Sequence, residues 1–139
     1  MKVSTRGDYA ARALLSLALH ESDRPTSVKE IAERTNLPQP YLEQILLAVK
    51  GAGLVRSKRG VGGGYVLARP PAEITVRDVV EAVDGPIALN GCVLWPEDCR
   101  RSADCRMHEV WVLAQQRMMD VLGEVTLAQL APAPAPSPA

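Results

Sequence analysis

Apolar side chains recur every three or four positions over residues 5–20, at Tyr9, Ala10, Ala13, Leu14, Leu17 and Ala18. That period predicts an amphipathic helix. Thr5 and Asp8 have capping-box spacing at its start. Ser27 and Glu30 form a full capping-box signature for a short second helix, with Val28, Ile31 and Ala32 inward and Asn36-Leu37 at its end. Pro38 and Pro40 are tolerated in a turn or a first helical turn, so a third helix starts near residue 39. It carries Leu42, Ile45, Leu46 and Val49 on one face and stops at Gly51 or Gly53. Two strand-like runs follow, residues 54–56 and 65–67, around the basic, glycine-rich SKRGVGGG. Thr75 and Asp78 cap a fourth helix that ends at Gly85. A last long helix is expected over residues 104–122. Its apolar stripe is Val110, Leu113, Ala114, Met118, Val121 and Leu122, widened by Trp111. Thr126 caps a short terminal helix.

Helix, tight turn, helix and strand pair is the order of a winged helix-turn-helix. The expected fold class is therefore mainly α with a small β wing, followed by a long helix. About 18 helical residues span some 27 Å, more than so small a core needs. This helix is read as a dimerisation element; the alternative is a core helix of a monomer. The expected organisation is a DNA-binding head over 1–85, a cysteine loop over 86–104, the dimerisation and terminal helices over 105–130, and a disordered Pro/Ala tail over 131–139.

Composition narrows the class. The chain has 139 residues and is 47% hydrophobic, enough for one core, although it contains no Phe. Formal net charge is zero. That value hides an asymmetry: residues 1–70 hold 11 Lys/Arg against 6 Asp/Glu, and residues 71–139 hold 5 against 10. A basic first half suits a polyanionic partner. There is no run of eighteen apolar residues and no secretory h-region, so a cytoplasmic chain without a membrane partner is expected. No Ser/His/Asp set, phosphate loop or paired acids supports an enzyme.

All three cysteines fall in CVLWPEDCRRSADCRMH, as Cys92, Cys99 and Cys105, with His108 three residues on. Structural cysteines sit on apolar faces; these lie in a polar loop. Three thiols and an imidazole within seventeen residues form a ligand set for a soft metal or an iron–sulfur cluster. Zinc sites usually pair ligands as C-x₂₋₄-C, and the gaps here are six and five. Ferredoxin spacing is equally absent, so spacing alone leaves iron–sulfur, zinc and bare redox thiols open. Cys105 and His108 share a face at a helix start, where positive partial charge favours an anionic sulfur.

The opening MKVSTRGDYAARALL, the run YLEQILLAVKGAGLV, the wing RGVGGGYVLARP, the segment ITVRDVVEAVDGP and the three-cysteine loop into CRMH together resemble the Rrf2 family of bacterial transcriptional regulators. The match spans about residues 1–130. The resemblance implies a homodimer with two winged heads that binds double-stranded operator DNA as a repressor. It also implies an iron–sulfur cluster ligated by Cys92, Cys99 and Cys105 that controls DNA affinity. His108 stands where IscR-like members complete a [2Fe–2S] site, which is the favoured cofactor. Asp8 stands where some NsrR-like members supply an aspartate from the partner subunit to a [4Fe–4S] cluster. The signal so implied is iron or cluster status, oxidants or nitric oxide. A cluster-free regulator that answers a metabolite or partner protein is the alternative within the family.

On that fold the third helix reads DNA. Its N-terminal end offers Gln39, Tyr41, Glu43 and Gln44 to base edges. Gln44 can pair bidentately with adenine and Glu43 can accept from a cytosine amino group. Arg59 at the wing tip is expected in the minor groove. Lys29, Lys50, Arg56 and Lys58 are candidates for phosphate contacts.

Overall fold

The computed structural model describes residues 3–20, 24–95, 97 and 105–131. Its elements are α1 (Thr5–Leu19), α2 (Val28–Thr35), α3 (Gln39–Gly51), β1 (Val55–Lys58), β2 (Gly64–Leu67), a 3-10 turn (Pro71–Glu73), α4 (Val76–Asp84), α5 (Gly91–Leu94), α6 (Arg106–Glu124) and α7 (Leu127–Leu130).

The first helix starts one residue earlier than its sequence signal. Ser4, not Thr5, is the cap: its hydroxyl accepts from the Gly7 N–H at 3.0 Å. The reason lies 80 residues away. The Ser4 hydroxyl donates to the Asp84 carboxylate at the end of α4, and the Ser4 N–H donates to the same group at 3.3 Å. Asp8, released from the expected box, takes Arg12 one turn on at 3.0 Å. In α2 the Ser27 hydroxyl accepts from the Glu30 N–H at 3.1 Å. The Glu30 carboxylate is drawn to Arg34 and Arg24 instead of back to the cap, so half of the expected box is realised. Asn36 ends α2 in the left-handed region at φ 58°. Pro38 is the N-cap of α3 and Pro40 lies in its first turn, where a missing N–H costs no helical bond.

The buried face of α1, Ala10, Ala13, Leu14 and Leu17, meets Ile31 of α2, Leu42, Ile45, Leu46 and Val49 of α3, Val79 of α4 and Leu127 of α7 in one core. In α4 both arms of the Thr75–Asp78 box are made, at 3.0 and 3.1 Å. The chain returns to this point after α6. Val76 N–H donates to Val125 C=O at 3.0 Å, and Leu127 N–H donates to Ile74 C=O at 2.9 Å. The terminal helix α7 is thereby bound to the head.

The wing is an antiparallel pair with Val55 opposite Leu67 and Lys58 opposite Gly64. A third strand position joins it, which periodicity did not reveal: Thr26 and Tyr65 exchange two backbone hydrogen bonds at 2.8 and 2.9 Å. Gly64 makes this possible. It sits at φ 154°, and a Cβ there would lie 2.2 Å from the Thr26 carbonyl oxygen.

Two expectations for the second half need correction. The loop over 86–104 contains a helical turn, α5, which carries Cys92. The long helix begins at Arg106 rather than near Asp104, leaving Cys105 as its N-cap. Of the apolar stripe on α6, Val110, Leu113 and Val121 are exposed while Ala114, Met118 and Leu122 are half-buried. The buried residues of this helix are Gln115 and Met119. The expected tail over 131–139 lies outside the described residues apart from Ala131.

The wing anchor yields a contrast between two glycines. Gly64→Ala is expected to lower unfolding free energy by about 2–4 kcal/mol, through strain and the clash with Thr26. Gly51→Ala, with open space around its Cβ at the end of α3, is expected to be neutral or slightly stabilising. Urea denaturation of the two variants checks both.

Candidate DNA interface and cysteine segment

The burial of Leu42, Ile45, Leu46 and Val49 turns the opposite side of α3 to solvent. Gln39, Glu43, Gln44, Leu47 and Lys50 are exposed there. Tyr41 is partly committed elsewhere: its ring packs edge-on against Tyr9 of α1, with centroids 5.5 Å apart. That contact fixes the first turn of α3 on α1 while leaving Tyr41 37% exposed.

Lys29 is exposed in the first turn of α2, and Arg56, Lys58 and Arg59 are exposed along the wing. None of these four, nor Lys50, makes an ion pair among the described residues. The wing turns sharply beyond Arg59, with the Gly63 N–H bonded to the Gly60 C=O at 2.9 Å. A Cβ at Gly63 would lie 2.3 Å from the Lys58 carbonyl oxygen, so the turn tolerates no side chain there. Unpaired cations from three elements thus accompany the free face of α3. Such a surface is suited to a phosphate backbone.

The cysteine segment is only partly within view. Cys92 on α5 and Cys105 at the start of α6 are free thiols, both half-buried. Cys99 lies outside the described residues, as do Arg100, Arg101 and Asp104. The His108 N–H donates to the Cys105 C=O at 3.2 Å, closing the first turn of α6. The His108 Nδ1 atom is buried and has no hydrogen-bond partner among the described residues. Asp8 is exposed on α1 and engaged by Arg12. Among the described residues, no three Cys, His, Asp or Glu side chains converge on a common point. Cys92, Cys105 and His108 fit a soft-metal site by donor chemistry, but they are not assembled as a ligand set in this conformation.

One residue escaped sequence reasoning. Gln115 is buried in mid-α6, where its Oε1 accepts from the Leu89 N–H at 2.7 Å and its Nε2 donates to the Ile87 carbonyl. It holds the chain between α4 and α5 onto α6. A signal was present: Gln115 shares a helical column with Trp111, Met118, Met119 and Leu122. A lone polar residue on an apolar column requires partners.

Helix, turn, helix and a wing with unpaired cations define a winged helix-turn-helix DNA-binding protein. A profile of the Rrf2 family, described as an iron-dependent transcriptional regulator, matches residues 3–133. The chain belongs to the Rrf2 family, and it is a transcriptional regulator rather than an enzyme. It is 37% identical over 131 residues to the HTH-type transcriptional regulator CymR of Bacillus subtilis (strain 168), covering 94% of this chain and 90% of that one. It is 36% identical over 130 residues to the HTH-type transcriptional regulator IscR of Serratia proteamaculans (strain 568), covering 94% and 79%. The solved structure of B. subtilis CymR, titled the global cysteine regulator of that organism, superposes with a TM-score of 0.80 at 37% identity, covering 94% of this chain and 96% of that one. Among the described residues no helix is long and apolar enough to cross a membrane.

Gln115→Ala leaves the Ile87 carbonyl and the Leu89 N–H without their partner. It is expected to cost about 1–3 kcal/mol of stability. Gln116→Ala, at an exposed neighbouring position, should stay within about 0.5 kcal/mol of the parent. Thermal unfolding monitored by circular dichroism tests the pair.

Proposed function

We propose that this protein is a homodimeric repressor whose affinity for duplex operator DNA is set by an iron–sulfur cluster on Cys92, Cys99, Cys105 and His108. The observation that carries the cluster reading is the buried, unbonded Nδ1 of His108, three residues from the free thiol of Cys105. A buried polar atom normally has a partner, and a ligated metal ion meets that need. The match to an iron-dependent family profile supports the same reading. When bound, the cluster supplies a centre sensitive to iron supply, oxidants or nitric oxide. The chain's own part is to bring Cys92 on α5 towards the start of α6, where Cys105 and His108 already share a turn. A [2Fe–2S] cluster is favoured. With a [4Fe–4S] cluster, Asp8 of the partner subunit is the fourth ligand, and its exposed pair with Arg12 is weak enough to yield.

In this reading residues 1–85 are the DNA-binding head, 86–104 the cluster segment, 105–130 the dimerisation and terminal helices, and 131–139 a tail. The exposed Val110, Leu113 and Val121 of α6 support pairing of two copies through that helix. Gln39, Glu43 and Gln44 read base edges, with Tyr41 steadied by Tyr9. Arg59 enters the minor groove, and Lys29, Lys50, Arg56 and Lys58 meet phosphates.

The likeness to CymR favours a second reading, in which the three thiols serve without a cluster and the regulator answers a sulfur metabolite or a partner protein. Metal analysis separates the two. Protein purified without oxygen is expected to show structured visible absorption with about two iron and two sulfide per chain, and His108→Ala should alter that spectrum. About four of each moves the fourth ligand to Asp8. Colourless, metal-free protein that still binds operator establishes the second reading.

The DNA interface has its own test. Gln44→Ala should weaken operator binding by about 1–3 kcal/mol and relax specificity at one base pair. Lys58→Ala should weaken binding to all sequences and lower the salt slope by about one. Titration of fluorescent duplexes at several salt concentrations measures both.

A further inference from the structure

The exposed face of α3 holds one side chain unlike the rest. Leu47 is 62% exposed. It lies three residues after Gln44, four after Glu43 and seven after Pro40, so these four form one column along the helix. The opposite column, Leu42, Ile45, Leu46 and Val49, is wholly buried. Leu47 therefore has no role in the core, and among the described residues the head leaves it largely uncovered.

Leucine has no hydrogen-bonding group. It cannot serve a phosphate oxygen or a base nitrogen or oxygen. On the floor of the major groove the one apolar group is the C5-methyl of thymine. We propose that Leu47 reads a thymine through that methyl group, as the apolar member of a recognition set whose polar members are Glu43 and Gln44. Leu47 stands about 4.5 Å along the helix axis from Gln44, and base pairs rise about 3.4 Å. The thymine thus lies about one or two base-pair steps from the base contacted by Gln44. With adenine as the natural partner of a glutamine side chain, the pair selects an A·T-containing step in each half-site. The inference rests on α3 being the base-reading helix.

The experiment removes the methyl group from either side. Full-length protein first selects a duplex from a random-sequence library. Each thymine of that duplex is then replaced singly by deoxyuridine, which differs only in lacking the methyl. One such replacement per half-site is expected to weaken binding about three- to fivefold, the worth of one buried methyl. Leu47→Ala should weaken binding to the thymine duplex by a similar factor and show no further loss on the uracil duplex. Leu47→Met, which keeps an apolar reach, should retain sensitivity to the methyl. An unchanged unfolding midpoint and an unchanged sedimentation coefficient for Leu47→Ala are expected. A shift in sedimentation would overturn the inference by assigning Leu47 to a contact between protein chains. So would indifference of the wild-type protein to every single deoxyuridine, or a Leu47→Ala variant as methyl-sensitive as the parent. Failure of the base-reading role of α3 itself is seen separately, as Gln44→Ala and Glu43→Ala binding the selected duplex like wild type.

Discussion

The head depends on the burial of one face of α1. Ala10, Ala13, Leu14 and Leu17 line that face, and α1 packs against α2, α3, α4, α7 and β2. The two alanines let neighbouring backbones approach closely, and the two leucines fill the space between them. Removing this face from water is favourable only if every surrounding helix is present, so the elements are mutually dependent. The orientation of α3 follows directly. Four side chains locked into the core leave the opposite face free and rigidly aimed. Rigid elements hold a recognition surface better than loops do.

Polar contacts then fix what burial leaves loose. The Ser4–Asp84 contact ties the start of α1 to the end of α4. The Thr26–Tyr65 exchange ties the wing to the chain entering α2. The Tyr9–Tyr41 edge contact sets the first turn of α3. The last two join the wing and α3, the candidate DNA-facing elements, to what lies behind them. The wing and α3 are thereby held in one frame, as the proposed contact with two grooves requires.

The cysteine segment is attached differently. α6 meets the head through α4 and meets α5 directly, and its described buried residues are a glutamine and a methionine. Gln115 grips the backbone at Ile87 and Leu89. The described part of the segment is thus tied to α6 by two hydrogen bonds, while Val110, Leu113 and Val121 on the same helix stay exposed. A closely packed head is thus joined, through α4 and Gln115, to a long helix that keeps part of its apolar face in solvent.

Local signals in the chain determined much of this. The starts of α2, α3 and α4, the inward faces of α1 and α3, the glycine-rich wing and the family resemblance were all legible. Capping and helical periodicity act over three or four residues, so neighbouring side chains suffice to specify them. The candidate cluster ligands and the candidate DNA-facing residues were legible as residue types, not as an assembled set. Tertiary structure decided that Ser4 rather than Thr5 caps α1, that Thr26 extends the wing and that Gln115 is a clamp. It also decided that Cys92 sits on a helical turn and that Leu47 stands free beside Gln44. Each of these depends on a partner, or on the absence of one, set by elements far away in the chain. Such distant pairings exist only once the core around α1 has closed.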